Sequence, residues 1–513
     1  MVEPLLTQVR AFVHSGVCNL GIPLAGLIIL TLLLALRVKF RKGLSYIPGP
    51  FFASICQLDR LFGSASGSQF RQHIDYHRKY GSLVRVGPYH VSFSDSNLIP
   101  QVYGIRSRFQ KVTISSQTSS HSSVFSVRDQ TEHRAIKRPI ANAFSLSALV
   151  ELEPMTDDCI GILQHKFDKM QGRTFDLGEW LHWYAFDVIT SITFSNRMGF
   201  MEQEMDIEGI IAAIEGRLAY NSVVGEMPGL HQFLLGSAVV RAAANFVPAL
   251  AKLNSSQYIT RFAARQLERY QNTDKDVSSM KDMLARFRYS QKGQEEMPCD
   301  DLLTHASTNI FAGSDTTAIS LRSMFYYLCR NPRCYDKLRN EVDCMETEGK
   351  LSNIVTFAEA QKLPYLQACM KEAMRMHPAV GQLLERVVPD EGWEVKPGVH
   401  LPSGTIVGIN PWIPARDPTV YGEDVETFRP ERWIEASPDE LKLMDRNFMA
   451  FGSGARTCIG KNISLLEMSK LVPQIIRRYD LELADPKAEW SLTDYWFVKQ
   501  KGLICRLQRR DGH

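Results

Sequence analysis

A cysteine flanked by glycines, Cys458, has the setting that most strongly indicates chemistry. It lies in the segment Phe451-Gly452-Ser453-Gly454-Ala455-Arg456-Thr457-Cys458-Ile459-Gly460, and a long helix is predicted to begin just after it and end at about Arg478. Backbone N–H groups of the loop and the positive end of that helix both favour a thiolate. Gly454 permits a tight bend, and Gly460 lets the backbone approach the sulfur closely. The alternative is a surface loop with a buried structural cysteine.

A second segment, Ala312-Gly313-Ser314-Asp315-Thr316-Thr317, lies within a long helix predicted from Asp301 to Cys329. Glycine and consecutive threonines are poor choices inside a helix. A threonine hydroxyl can bond a backbone carbonyl and bend the helix locally. Asp315 and Thr316 form an acid–alcohol pair of the kind that relays protons. The alternative is a capped helix break beside an apolar run.

A third motif pairs Glu372 with Arg375 on a helix predicted from Pro364 to His377. Residues separated by three positions lie on the same face of a helix. Most such pairs are solvated and contribute little to stability. The spacing alone therefore does not distinguish a functional pair from a surface pair.

Taken together, these segments resemble the cytochrome P450 family. The cysteine segment matches the family signature F-x-x-G-x-R-x-C-x-G, and the motifs occur in the family's order and with similar spacing. The resemblance extends from Ile47-Pro48-Gly49-Pro50 to the final predicted strands, and fungal microsomal members of the pisatin demethylase-like and benzoate para-hydroxylase-like kinds are the most similar. It implies a cytochrome P450 fold, mainly α with a small β portion, and a haem b cofactor whose iron is bound by the Cys458 thiolate.

The resemblance also implies roles for individual residues. Asp315 and Thr316 are the expected catalytic residues of an oxygen-binding segment. Glu372, Arg375 and Arg432 are expected to form a buried charged triad that holds the Cys458 loop in place. The residues expected to contact the haem or its propionates are Cys458, Arg456, Arg386, His133, Lys137, Phe451, Gly460 and Gly313.

The positions His133 and Lys137 depart from the family pattern. Many relatives carry W-x-x-x-R on the corresponding helix, whereas this chain has His in place of Trp and Lys in place of Arg. A role for Lys137 in binding a propionate therefore competes with a surface run of charges, because Arg138 follows directly.

By resemblance, the substrate contacts are expected to come from residues 110–127 and 219–235, from Asn309, Phe311 and Ala312, and from residues 380–384 and 496–498. These segments carry few charges, which suits an apolar, medium-sized molecule. Asn309 is either a hydrogen-bond partner of the substrate or a cap for a neighbouring backbone group. Residues 227–235 are uncharged, and they either dip into a membrane surface or form a buried lid.

Composition excludes several classes of protein. The chain has 513 residues, of which 44% are hydrophobic and 22% charged, so it can bury a large core. Its net charge of +3 is too small to indicate a nucleic-acid partner. The ten cysteines are scattered and include no C-x-x-C pair, which argues against a disulfide framework or a zinc site and favours a reducing compartment.

The N-terminal region predicts a membrane anchor. Residues 20–36 carry no charge, a length of 17 residues that is just sufficient to span a bilayer. The basic residues Arg37, Lys39, Arg41 and Lys42 follow, which places that side in the cytosol. We therefore expect a single-pass protein of the endoplasmic reticulum membrane, with an anchor and basic linker over residues 1–44 and a cytosolic catalytic domain over residues 45–513.

The sequence thus predicts a haem-thiolate monooxygenase that inserts one oxygen atom from O2 into an apolar small molecule, in fungal secondary metabolism. Because no G-x-G-x-x-G dinucleotide fingerprint occurs, electrons are expected from a separate NADPH–cytochrome P450 reductase. Three alternatives remain open: an isomerase or lyase that uses the same fold without a reductase, a cytochrome P450 that detoxifies foreign compounds, and a non-catalytic haem-binding protein.

Overall fold

The computed structural model describes residues 25–112, 122–244, 246–247, 256–272, 281–288 and 296–510. The helices of its N-terminal half are α1 (25–39), α2 (Leu58–Ala65), α3 (Gln69–Tyr80), α4 (Ile99–Tyr103), α5 (Gln130–Ile140), α6 (Leu146–Val150), α7 (Glu153–Lys169), α8 (Leu177–Phe194), α9 (Phe200–Gln203), α10 (Ile210–Glu226) and α11 (Ala238–Ala243). Those that follow are α12 (Ser256–Gln271), α13 (Met283–Arg288), α14 (Cys299–Arg330), α15 (Pro332–Thr347), α16 (Phe357–Ala360), α17 (Pro364–Met376), α18 (Pro418–Tyr421), α19 (Arg432–Glu435), α20 (Pro438–Asn447) and α21 (Lys461–Arg478).

Short strands form a minor part of the fold. They are β1 (Leu83–Gly87), β2 (His90–Phe93), β3 (Gln110–Lys111), β4 (Thr174–Asp176), β5 (Arg386–Val387), β6 (Trp393–Lys396), β7 (Val399–Leu401), β8 (Ile406–Gly408), β9 (Tyr479–Leu483), β10 (Ser491–Tyr495), β11 (Phe497–Lys501) and β12 (Ile504–Arg509). The largest sheet has the order β1-β2-β8-β5-β3, in which β2 and β8 are parallel and the other pairs are antiparallel. The predicted class, mainly α with a small β portion, is confirmed.

The core lies between α7, α8, α14, α17 and α21, whose buried side chains form one large hydrophobic cluster. The longest helix, α14, packs most extensively against α8. Nearly every residue of α8 is buried, as expected for a helix enclosed on all sides. This central pair of helices fixes the position of the segment around Asp315.

The local signals in the sequence account for most helix ends. The helix α3 ends at Tyr80, where Gly81 follows with a positive φ. The carboxylate of Asp129 accepts hydrogen bonds from the N–H groups of Thr131 and Glu132 and so caps α5. Proline begins α17 and stands just beyond its end, as predicted.

The buried guanidinium of Arg85, on β1, fixes the C-terminal end of α1 to the rest of the chain. It donates hydrogen bonds to the carbonyl oxygens of Val38 (2.8 Å), Lys39 (2.7 Å) and Pro88 (2.8 Å). The carbonyls that end a helix have no partner within the helix and carry its negative dipole end. Arg85 therefore satisfies the last turn of α1 while holding that turn against the main sheet.

The predicted membrane span is described only in part. Residues 20–24 lie outside the described residues, and residues 25–36 belong to α1. Along α1 the leucine and isoleucine side chains are half exposed or more, including Leu27, Ile29, Leu30 and Leu33. Within the described part of the chain, no helix combines the length and the apolar character needed to cross a membrane.

Candidate active site

A cavity of about 360 Å³ lies between α14 and the Cys458 loop. Its lining includes Phe125 from the segment before α5, Ala312 and Thr316 from α14, Leu384 before β5, and Trp496 between β10 and β11. Each of the five segments predicted to contact substrate contributes to this lining, although residues 113–121 lie outside the described residues. Phe311 and Val498, which belong to those segments, are not among the described lining residues.

The Cys458 loop presents its sulfur to this cavity. The N–H of Cys458 donates to the carbonyl oxygen of Phe451 over 2.9 Å, which closes the loop just before α21 begins at Lys461. Gly454 has φ of 65°, and a Cβ there would overlap the carbonyl oxygen of Tyr103. Glycine is therefore required at this bend for both backbone conformation and space.

Two opposing effects act on the Cys458 thiol: the backbone N–H groups lower its pKa, as predicted, and burial raises it. Burial raises the pKa of the thiol above its ordinary value of 9.0, and this effect outweighs the N–H groups of Gly460 and Lys461, which lower the pKa. The protein groups alone therefore do not favour the predicted thiolate. A coordinated metal ion would deprotonate the sulfur.

Basic side chains surround the cavity near Cys458. Lys111, Lys137, Arg386 and Arg456 all line it, and within the described part of the chain none of them forms an ion pair with a carboxylate. Burial, with Arg386 and Arg456 nearby, lowers the pKa of Lys111 to about 7. Burial and Arg386 lower the pKa of Arg456 to about 10. The three other basic side chains, Lys137, Arg386 and Arg456, line one cavity without an ion-paired carboxylate within the described residues, and this arrangement favours an anionic ligand.

His133 also lines the cavity but is not one of these cations. Burial, with Arg456 and Lys137 nearby, lowers the pKa of its imidazole to about 4. The ring is therefore neutral at pH 7, and it can donate or accept a hydrogen bond but does not add charge.

This arrangement fits the haem implied by the sequence. The cavity offers one cysteine sulfur, which is the axial ligand of a haem-thiolate centre. Lys137, Arg386 and Arg456 supply positive charge for two propionates. No group of three or more His, Cys, Asp or Glu side chains that could hold a bare metal ion occurs within the described residues. The residues present therefore suit a metal that arrives with its own nitrogen ligands.

The helix α14 passes the cavity without a break. The Thr316 hydroxyl donates to the carbonyl oxygen of Ala312 over 2.8 Å, one turn earlier, and the helix continues through this point. A Cβ at Gly313 would lie 2.8 Å from Cδ1 of Ile189 on α8. Gly313 therefore permits the close packing of α14 on α8, in addition to lining the cavity.

Asp315 is separated from the cavity that Thr316 lines. Its carboxylate is fully buried, accepts a hydrogen bond from Nε2 of His182 over 2.5 Å, and forms an ion pair with Nζ of Lys499 over 3.0 Å. Burial by itself raises the pKa of Asp315, but Lys499 and His182 outweigh it and hold the pKa well below the usual range. Burial also lowers the pKa of His182 to about 4, so a neutral imidazole donates this hydrogen bond. The two members of the predicted acid–alcohol pair therefore face different surroundings: Thr316 lines the cavity, and Asp315 lies in the core.

The charged motif of α17 is buried. The carboxylate of Glu372 accepts hydrogen bonds from Arg375 (2.8 and 2.9 Å) and from Nε of Arg432 (2.9 Å). It also accepts from the indole N–H of Trp433 (2.9 Å) and the backbone N–H of Arg429 (3.0 Å). The structure therefore brings together the three members of the predicted triad, and their charges are fully enclosed.

The side-chain amide of Asn309 does not cap a backbone group within the described residues. Its side-chain amide donates to Oγ1 of Thr193 on α8 over 2.9 Å and contacts the sulfur of Met283 over 3.3 Å. Although Asn309 lines the cavity, its N–H groups are directed at side chains of the core. The residue therefore joins α14 to α8.

Four further polar residues line one part of the cavity, Arg60, Gln69, Glu226 and Glu385, and of these only Glu226 lies in a segment (219–235) that was predicted to contact substrate. They come from α2, α3, the end of α10 and the position before β5. No motif marks them, although Glu385 directly precedes Arg386. The expectation of a cavity with few charges is therefore wrong at this end.

Comparison with known proteins agrees with this geometry. The family described as Cytochrome P450 matches residues 45–504. The chain is 38% identical to the cytochrome P450 monooxygenase cicH of Emericella nidulans, over 93% of this chain and 95% of the relative. It is 34% identical to the cytochrome P450 monooxygenase gsfF of Penicillium aethiopicum, over 91% and 94%. It is 32% identical to pisatin demethylase of Fusarium vanettenii, over 96% and 94%.

Proposed function

The chain belongs to the cytochrome P450 family, and on this basis we propose that it inserts one oxygen atom of O2 into a largely apolar small molecule. Members of this family are monooxygenases that use haem with an axial cysteine thiolate. We propose a pathway of fungal secondary metabolism as the setting, because the relatives at 38% and 34% identity are fungal monooxygenases.

One observation carries the proposal: a single cavity holds the sulfur of Cys458 beside a set of basic side chains that form no ion pair with a carboxylate within the described residues. Sulfur and positive charge together match the metal and the two carboxylates of haem. When bound, haem would supply the activation of O2 at its iron.

The chain's own residues would serve that chemistry in distinct ways. Cys458 would bind the iron, while Arg386, Arg456 and Lys137 would neutralise the propionates. The Thr316 hydroxyl lies in the cavity wall and is placed to hold a proton-carrying water or ligand there. Asp315, one residue away, does not line the cavity and would act only indirectly, from the core, where it forms an ion pair with Lys499. Glu372 would keep the segment beneath the loop in place through Arg375 and Arg432.

We propose that electrons come from a membrane-bound NADPH–cytochrome P450 reductase, because the sequence has no dinucleotide fingerprint of its own. An isomerase or lyase of the same fold would turn over without reductase, so the need for NADPH and reductase distinguishes that class.

Residues 1–44 are proposed to anchor the chain in the endoplasmic reticulum membrane by a single span, with residues 45–513 as a cytosolic catalytic domain. The exposed leucines of α1 and the basic residues Lys39, Arg41 and Lys42 support this. Phe233 and Leu234, which are 70% and 40% exposed, support a second membrane contact rather than a buried lid.

The test of the proposed function begins with the absorption spectrum of the purified full-length chain. The reduced protein should give the carbon monoxide difference band of a thiolate-ligated haem, and Cys458→Ala should remove it. As a control, Cys344→Ala changes an exposed cysteine on α15 and should leave the band unchanged. Purified chain that carries no haem, or a Cys458→Ala variant that keeps the thiolate band, would contradict the proposal.

A further inference from the structure

A charged cluster, here called the Arg60 cluster, forms one end of the cavity and consists of Arg60, Gln69, Glu226 and Glu385. Nε of Arg60 bonds Oε2 of Glu226 over 2.5 Å, and its Nη2 bonds Oε1 of Glu385 over 2.6 Å. Nε2 of Gln69 donates to Oε1 of Glu226 over 2.8 Å. Three separate parts of the chain therefore meet here: α2 and α3, the end of α10, and the residue before β5.

The Arg60 cluster differs in charge from the basic residues near Cys458. One guanidinium faces two carboxylates, so the formal charge of the cluster is negative. Its side chains are nearly enclosed, with 7% of Arg60 and 5% of Glu226 exposed, whereas Glu385 retains 20%. An incoming carboxylate would meet two negative charges at this end, in a setting of low dielectric where repulsion is strong.

Two hydrogen-bonding positions in the cluster are unused by the described residues. Both oxygens of Glu226 accept hydrogen bonds, whereas Oε2 of Glu385 has no hydrogen-bond partner among the described side chains and backbone. Nη1 of Arg60 is buried and likewise has no partner within the described part of the chain. The cluster thus offers one free acceptor and one free donor.

A hydroxyl is the group that matches both, because it donates one hydrogen bond and accepts others. A carboxylate only accepts, an ammonium group only donates, and a methyl group does neither. A buried polar group left without a partner is unfavourable, so the cluster should prefer ligands that bring a hydroxyl to it.

We propose that the substrate carries an alcohol or phenol hydroxyl that the Arg60 cluster binds, while an apolar part of the same molecule lies toward Cys458. The inference rests on the proposed function and deepens it. The expected substrate is therefore amphipathic rather than purely apolar. Binding of its hydroxyl end by the cluster would present the molecule in one orientation.

The test uses 1-alkylimidazoles of increasing chain length that end in methyl, hydroxyl or carboxylate. The imidazole nitrogen binds haem iron and shifts its absorption band, so each affinity is read from a titration of the full-length holoprotein. At the length that reaches the cluster, the hydroxyl compound should bind about tenfold more tightly than the methyl compound, and the carboxylate should bind most weakly.

Two variants sharpen the test. Glu385→Leu should remove the advantage of the hydroxyl over the carboxylate compound, because the free acceptor is lost and Nη2 of Arg60 loses its partner and can donate to a carboxylate. Glu391→Leu changes an exposed residue that pairs with Arg108 at the surface, and it should keep that advantage.

A methyl or carboxylate compound that binds as tightly as the hydroxyl compound at every length would overturn the inference, as would an undiminished advantage of the hydroxyl over the carboxylate compound in Glu385→Leu. The comparison of compounds on the unaltered chain needs no variant, so it decides the question even if Glu385→Leu does not fold. Failure of imidazole itself to shift the absorption band would instead contradict the proposed function, and the inference with it.

Discussion

At the scale of single residues, the buried carboxyl group of Glu467 links the stability of the fold to pH. It lies within α21, fully buried, and neither carboxyl oxygen has a hydrogen-bond partner within the described residues. Burial raises its pKa well above the ordinary value of 4.5. The folded chain therefore keeps a proton on Glu467 that the unfolded chain releases as the pH rises above that value.

The consequence is a stability that falls with pH. Below pH 4.5 both states hold the proton, and above it only the folded state does, so the free energy of unfolding decreases by up to about 1.4 kcal/mol per pH unit until the folded-state pKa is reached. Glu467→Gln has no proton to lose, and we expect its unfolding midpoint to decline less between pH 5 and pH 8. Parallel slopes for the two proteins would show that Glu467 ionises in the folded state.

Lys499 is a positioning residue for Asp315, and it also bonds Glu215 of α10 over 2.9 Å. Lys499→Met removes the main charge that keeps the pKa of Asp315 low, so the carboxyl should begin to titrate above its ordinary pKa of 3.8. We expect a new inflection in the pH profile of kcat, with little change in KM. Lys499→Arg keeps the charge and should restore the original profile; a Met variant with an unchanged profile would remove Lys499 from this role.

Some of these residues could be predicted from short motifs. The others could not, because their partners are far away in the sequence. Cys458, Glu372 and Thr316 stand in short patterns whose chemistry is readable in the sequence. The partners of Asp315, by contrast, are His182 and Lys499, more than a hundred residues away on either side. Nothing local indicates that the carboxylate points into the core rather than the cavity.

At the scale of elements, Glu372 joins α17 to the segment that leads into α19. Its carboxylate is bonded by side chains from both, and all three members of the triad are buried. Removing one member leaves uncompensated buried charge, which costs about 3–5 kcal/mol.

We therefore expect Glu372→Ala to give chain that does not retain haem, because the support beneath the Cys458 loop is lost. Haem content per mole of purified protein is the measurement. Glu348→Ala is the matched control, since it breaks an exposed pair with Lys350, a kind of contact that contributes at most about 1 kcal/mol. Normal haem content in Glu372→Ala would contradict the supporting role of the triad.

Element bounds were largely predictable, and element pairing was not. Proline, glycine and capping residues indicate where α3, α5 and α17 begin and end. The order of the largest sheet brings β5 beside β8 and β3, strands of only two or three residues. Such short strands carry too little alternation of apolar and polar residues to specify their partners.

At the scale of the whole molecule, the exposed apolar face of α1 should decide where the protein resides. Leu30 and Leu33 are 54% and 58% exposed, and each charge placed in a membrane span is unfavourable by about 2.5–3.5 kcal/mol. We expect the double change Leu30→Arg and Leu33→Arg to release the full chain from the membrane fraction of expressing cells. Ile434→Arg, at an exposed apolar site remote in sequence, should leave the distribution unchanged. Retention of the double variant would show that other surfaces suffice for binding.

The overall architecture was predictable because a few motifs indicate the family, and the family brings its fold. The charged end of the cavity was not, because no motif marks Arg60 or Gln69, and the predicted segment 219–235 did not single out Glu226. Charge that is distributed over three distant elements becomes a site only when the fold assembles it.

The link between Arg85 and the end of α1 has a mechanical consequence. With α1 in a bilayer, the hydrogen bonds from the Arg85 guanidinium to the last carbonyls of α1 would make the helix and the domain move together. Any tilt that α1 adopts to match the thickness of the lipid would then be transmitted to the domain behind it. The distance of the cavity from the headgroups and its orientation relative to them would thus depend on the surrounding lipid, because Arg85 joins α1 to the domain.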